Sequence, residues 1–177
     1  MNRKLLNSEL GRLSTEEYKT SDKSRFAVVL DNVRSRHNVG SAFRTADAFR
    51  AEGMYLCGIT SIPPGPEIHK SALGAEYSVD WKHVADTADA NAELKSKGFT
   101  IVSIEQTENS IPLEKFIPEK DRSYAFVFGN EVKGVQQKVV DQSDLSIEIP
   151  QFGTKHSLNV SVSIGVVLWD YASKNLL

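Results

Sequence analysis

Phe26-Ala27-Val28-Val29-Leu30-Asp31-Asn32, running on into Val33-Arg34-Ser35-Arg36-His37-Asn38-Val39-Gly40-Ser41-Ala42-Phe43-Arg44-Thr45, is the stretch on which the reading of the fold turns. Five consecutive apolar, β-prone residues stop at an acidic and an amide residue, the pattern of a buried parallel strand feeding its loop. Beyond the loop, Val39, Ala42, Phe43, Ala46 and Phe49 recur three and four apart, which predicts an amphipathic helix with Asn38 at its N-cap. Strand, polar loop and helix in that order make one half of a crossover unit.

Working outward, the same unit repeats. Met54 to Ile59 reads as a second strand, and Ser61-Ile62-Pro63-Pro64-Gly65-Pro66 can continue neither regular structure, so it is a loop. Asp86 to Lys97 reads as a helix stopped by Gly98, and Phe99 to Ile104 as a third strand. Tyr124 to Phe128 and Ser146 to Ile149 give the fourth and fifth strands, with a helix over Val135 to Gln142 between them. A last helix starts near Ser157, which has the chemistry of an N-cap. Strands that alternate with helices imply an α/β fold, a mostly parallel open sheet with helices on both faces, because parallel neighbours need crossover connections. Ligands of such sheets bind beyond the C-terminal strand ends.

Residues 1–25 form a polar N-terminal extension in which Ser14-Thr15-Glu16-Glu17 has capping-box spacing, so short helices are expected there. Residues 26–177 read as one domain, a length suited to a single core. A composition 40% hydrophobic and 25% charged excludes disorder of the whole chain. The net charge of -2 excludes a protein that coats nucleic acid indiscriminately. Within residues 31–50, however, Arg34, Arg36, Arg44 and Arg50 face only Asp31 and Asp47, a local positive surplus. Cys57 stands alone, which excludes an intrachain disulfide, and no apolar leader is visible, so a cytoplasmic location is expected. The apolar stretch Ser157 to Tyr171 falls short of the roughly 20 residues of a membrane span, so no membrane partner is expected, and no metal ion either.

Three segments at strand ends carry chemistry. In the first, Arg34, Arg36 and Arg44 suit phosphate, since the planar guanidinium fork donates two parallel hydrogen bonds. A helix N-terminus near Asn38 would add backbone donors. The plainer alternative for Arg44, Asp47 and Arg50 is a row of surface pairs three residues apart.

The second segment is Phe126-Val127-Phe128-Gly129-Asn130-Glu131-Val132-Lys133-Gly134. Its glycine spacing is that of a P-loop, but Val135 and Gln136 stand where lysine and a hydroxyl residue are required, so that match fails. Glycine directly after a strand permits close backbone approach or a positive φ. The plain alternatives are a tight turn and, for Glu131, a solvated carboxylate near a helix start.

The third segment, Ile147 to Gly165, contains Ile149-Pro150-Gln151-Phe152-Gly153 and Ser157-Leu158-Asn159-Val160-Ser161. Its helix is apolar on nearly all sides, with Asp170 its only charge through Tyr171, and such a helix must be covered on nearly all sides. A second subunit is the expected cover, with Ser161 and Gly165 allowing close approach. Asn159 is expected to need a partner, because an unpaired buried amide is costly.

Taken together and in this order, the segments resemble the three motifs of the SpoU/TrmH family of SPOUT methyltransferases. Asn38 to Arg44 corresponds to Asn-x5-Arg, Phe128 to Gly134 to Phe-Gly-x-Glu-x-x-Gly, and Ile149 to Ser161 to Ile-Pro-x-x-Gly-x-x-x-Ser-Leu-Asn-Val-Ser. His69 to Ala75 also looks like the family, and the resemblance covers about residues 26–171. It implies a C-terminal deep trefoil knot, a homodimer, and transfer of a methyl group from S-adenosylmethionine to a ribose 2'-hydroxyl of tRNA or rRNA. It also implies a cofactor site at Ile104, Glu105, Phe128, Gly129, Asn130, Gly134, Ile149, Ser157 and Leu158. Arg44 matches the family's catalytic arginine, as base or as phosphate-orienting group, with Asn38, Glu131, Ser157 and Asn159 shaping the site around it. The Gln151-Phe152 pair departs from the family's more usual methionine-containing pair. Two other classes compete: a non-catalytic RNA-binding or adenosyl-binding module on the same fold, and a dinucleotide oxidoreductase. The latter is disfavoured because no G-x-G-x-x-G follows a strand.

Overall fold

A computed structural model describes residues 2–176; residues 1 and 177, the outer ends of the expected extension and domain, lie outside the described residues. Seven strands form one sheet in the order β3-β2-β1-β6-β4-β7-β5, and every pairing is parallel. In chain order they are β1 (Ser24–Asp31), β2 (Ala51–Cys57), β3 (Trp81–Val84), β4 (Phe99–Ile104), β5 (Ile111–Pro112), β6 (Ser123–Phe128) and β7 (Leu145–Glu148). The helices are α1 (Thr15–Thr20), α2 (Arg36–Ala48), α3 (Pro66–Ala72), α4 (Ala75–Ser78), α5 (Thr87–Ser96), α6 (Gln137–Gln142) and α7 (Val160–Asn175).

Period-2 alternation explains the two layers of core. Along β1, Phe26, Val28 and Leu30 join the cluster that holds α2 and α7, while Ala27 and Val29 face the cluster under α5 and α6. On β6, Tyr124, Phe126 and Phe128 go to the first cluster, and Ala125 and Val127 to the second. Large aromatics therefore crowd one face, where Tyr171 meets Phe26 and Phe126 edge-on with ring centroids 5.2 and 5.6 Å apart.

Two helix starts differ from the sequence expectation. Ser35, not Asn38, caps α2 by accepting from the Asn38 N–H, and Asn159, not Ser157, caps α7 by accepting from the Ser161 N–H. In both places the helix begins where the loop's tertiary bonds release the chain, a boundary that apolar periodicity does not mark. The Ser14–Glu17 capping box is present, and Tyr18 of α1 is buried in the first core cluster, so the extension is partly anchored. Among the described residues, no helix is long and apolar enough to cross a membrane.

Candidate active site

The carboxyl ends of β4, β6 and β7 converge on a cleft of 540 Å³, floored by Ile104, Phe128 and Ile147 and walled by Gly129–Gly134 on one side and by Ile149, Gln151 and His156–Asn159 on the other. Its size is that of a small-molecule site. One wall is tightly bonded. Gly129 and Gly134 lie so close that a Cβ on Gly129 would stand 2.1 Å from the carbonyl carbon of Gly134 and the nitrogen of Val135. Gly134 also takes φ +66°, and Asn130 and Gly134 exchange two backbone hydrogen bonds of 3.0 and 2.9 Å. Both glycines are therefore required by close approach and turn geometry, which answers why the motif carries glycine without a P-loop lysine.

Side chains from other strand ends hold the loop. The Glu105 carboxylate accepts from the Val135 N–H at 2.8 Å, and the Asn130 amide donates to the Asn32 carbonyl at 2.8 Å. Asp31, fully buried at the end of β1, accepts from the Gln136 N–H (2.8 Å), the Gln136 amide (2.7 Å), the Thr87 hydroxyl (2.6 Å) and the Asn32 amide (2.9 Å). Four donors compensate an ion that would otherwise be costly to bury. Sequence reading missed Asp31, Thr87 and Gln136 as site supports, because residues 56 and 105 positions apart give no local signal of their meeting.

At the mouth of the cleft three of the expected catalytic residues, Glu131, Asn38 and Asn159, form a chain, which Ser157 and Arg44 do not join. Glu131 accepts from the backbone N–H groups of Arg34 (3.1 Å) and Ser35 (3.0 Å) and from the Asn38 amide (3.1 Å). Asn159 donates in turn to the Asn38 side-chain oxygen at 3.3 Å. Burial pushes the Glu131 carboxyl upward, but the Arg34, Glu131 and Ser35 N–H groups and the Asn38 amide outweigh it, holding the group below its ordinary value. It is ionised at neutral pH. Asn159 is exposed rather than buried, and its side-chain oxygen is taken by the Ser161 N–H and hydroxyl, so the cap and the contact to Asn38 coexist.

The other cleft wall, residues 150–158, is held differently. Among the described residues its one hydrogen bond runs from the Gln106 amide to the His156 carbonyl, at 3.1 Å. Ser157 and Leu158 line the cleft, Leu158 with 39% of its surface exposed.

The arginines are not gathered within one chain. Arg44 is exposed on α2 and absent from the cleft lining. It lies six residues beyond Asn38, about 9 Å along the helix and roughly 120° round its axis. Arg34 contributes its backbone to Glu131, and Arg36 pairs with Glu67 at 2.7 Å, which raises the guanidinium further above its ordinary range. On α7, Val162, Val166 and Trp169 expose an apolar stripe at helical spacing. Among the described residues no group of three or more His, Cys, Asp or Glu side chains could hold a metal ion.

A parallel sheet with a tightly bonded glycine turn at its carboxyl ends, and a Glu–Asn–Asn chain at the mouth of a cleft, is the arrangement of an α/β protein with a small-molecule site. The chain belongs to the SpoU rRNA Methylase family, whose model matches residues 25–169. It is 32% identical over 150 residues, 85% of its length, to the 23S rRNA (guanosine-2'-O-)-methyltransferase RlmB of Neisseria meningitidis, and spans 59% of that relative's own length. Its fold superposes on the TrmH/SpoU tRNA modifying enzyme of A. aeolicus with a TM-score of 0.78 at 27% identity, covering 90% of this chain and 79% of that one. The AdoMet-bound rRNA methyltransferase of Sinorhizobium meliloti gives 0.79 at 26% identity, covering 86% and 57%.

Proposed function

We propose that the protein transfers a methyl group from S-adenosylmethionine to a ribose 2'-hydroxyl of tRNA or rRNA. The carrying observation is the hydrogen-bonded chain Glu131–Asn38–Asn159 at the mouth of a cleft framed by Gly129, Ile149 and Leu158. Membership of the SpoU family supports the reading, as does the likeness to a methyltransferase that is itself AdoMet-bound.

The cleft fits the cofactor. Ile104, Ile149 and Leu158 offer apolar surface to a flat base, and the backbone polar groups of the loosely bonded 150–158 loop are free to meet its edge. When bound, S-adenosylmethionine supplies a methyl group activated on a sulfonium sulfur. The protein's task is then positioning and charge placement. The ionised Glu131 fixes the Asn38 amide and the Arg34–Ser35 backbone, and so shapes the place where the sugar sits. Arg44 holds the adjoining phosphate, a role that suits a guanidinium better than proton abstraction, because it gives up its own proton with difficulty. Arg34 and Arg36 extend the basic surface, and the exposed Arg36–Glu67 pair exchanges readily for phosphate, since such pairs contribute about 0–1 kcal/mol.

Arg44 reaches the cleft from a second copy in a homodimer that covers Val162, Val166 and Trp169. The remaining expectations extend this reading: a C-terminal trefoil knot, an N-terminal extension distinct from the domain, and a cytoplasmic enzyme. Arg44→Ala is expected to abolish transfer of labelled methyl to RNA while S-adenosylmethionine binding by calorimetry survives. Undiminished transfer, or a monomer in sedimentation, overturns the assignment of Arg44.

A further inference from the structure

Phe152 is 98% exposed, more than any other large apolar side chain among the described residues. It stands between Gln151 and His156, both of which line the cleft, on the wall held by the single Gln106–His156 hydrogen bond. Lys155 and His156, both exposed, follow it within four residues. A bare phenyl ring on a cleft wall, followed in the chain by basic side chains, matches how proteins take unpaired nucleobases, stacking the ring on the base while basic groups meet the backbone.

We propose that Phe152 is a stacking platform for an unpaired base of the RNA substrate, with Lys155 and His156 facing the adjoining phosphate. The proposal rests on the reading of the cleft as a methyltransferase site and deepens it. A sugar that presents its 2'-hydroxyl inside the cleft carries its base, or a neighbouring one, out of the helical stack, and unstacking has a free-energy cost. An aromatic side chain already standing in water at the rim offsets that cost without rearranging the cleft. Electrostatic character favours RNA over a second copy as the occupant: the segment around the ring, Gln151 to His156, carries Lys155 and no acidic residue.

The test uses the full chain. Phe152→Ala is expected to lower affinity for a short single-stranded RNA of mixed sequence roughly tenfold. S-Adenosylmethionine binding and the sedimentation coefficient should not change. Phe152→Tyr restores the affinity, and Ile117→Ala, an 81% exposed residue on the segment leading into the far end of β6, leaves it unchanged. Phe152→Trp adds a fluorescence signal, over the Trp81 and Trp169 background, that single-stranded RNA quenches more than a duplex of the same sequence. Full RNA affinity in Phe152→Ala overturns the proposal, as does conversion of a dimer to a monomer, which would make a second copy the occupant. If the parent chain binds RNA and Phe152→Ala does not, yet no methyl is transferred, the catalytic reading fails and the platform stands. If methyl is transferred and Phe152→Ala binds RNA fully, the platform fails and the catalytic reading stands.

Discussion

The two walls of the cleft are built on opposite principles. Residues 129–136 are locked by backbone bonds, by Glu105 and by the two hydrogen bonds from Gln136 to buried Asp31. Residues 150–158 are tied by one exposed side-chain contact and leave Phe152 in water. A wall tied to several strand ends holds one shape, so it suits a ligand of constant shape. A wall with unspent polar groups and an uncovered ring can conform to a partner, which suits RNA, a substrate whose local form varies. Precision and adaptability are thus divided between two loops of one site.

The contrast is broken most severely at Gly129. Gly129→Ala puts a methyl group 2.1 Å from the backbone of residues 134 and 135, and is expected to cost roughly 4 kcal/mol of stability together with cofactor binding, as read by thermal unfolding and calorimetry. Asp31→Ala comes next. It strands four donors from three segments, and urea unfolding should show a loss of about 3 kcal/mol. Stability unchanged in that variant would show the locked wall to be held some other way.

Glu131 ranks third and brings a pH signature. Its folded-state acidity is depressed, so its stabilising contribution is complete above the ordinary glutamate range and disappears as the pH falls through the lowered value. The stability gap between the parent and Glu131→Gln, read by urea unfolding, should be on the order of 1 kcal/mol at neutral pH and should close on acidification. The smallest effect belongs to the adaptable wall. Gln106→Ala removes the one hydrogen bond that this wall makes among the described residues, yet should shift stability by under about 0.5 kcal/mol, with any larger change falling on ligand affinity.

The central strands were legible because burial on both faces writes an unbroken apolar run, as at Phe26–Leu30 and Tyr124–Phe128. The edge strands were not. Trp81–Val84 is half exposed, and Ile111–Pro112 is two residues long, so each is a strand only because a neighbour offers a free edge. Motif spacing found Glu131, Asn38 and Asn159, and coordinates supplied the bonds that join them. Both misplaced caps, Asn38 in place of Ser35 and Ser157 in place of Asn159, arose from the same limit, since all four residues have cap chemistry and only the surrounding loop selects among them.

What the amino-acid sequence determined alone was the period of its apolar residues and the order of its motifs, and with them the parallel sheet and the family. Local chemistry suffices there, because a strand buried on two faces and a glycine forced by close approach leave marks within a few residues of themselves. What only tertiary structure decided was which of those residues meet. Asp31 finds Gln136 across 105 positions, while Arg44 stands away from the cleft of its own chain. Such meetings depend on crossover connections, whose geometry is a property of the packed sheet and not of any segment that enters it.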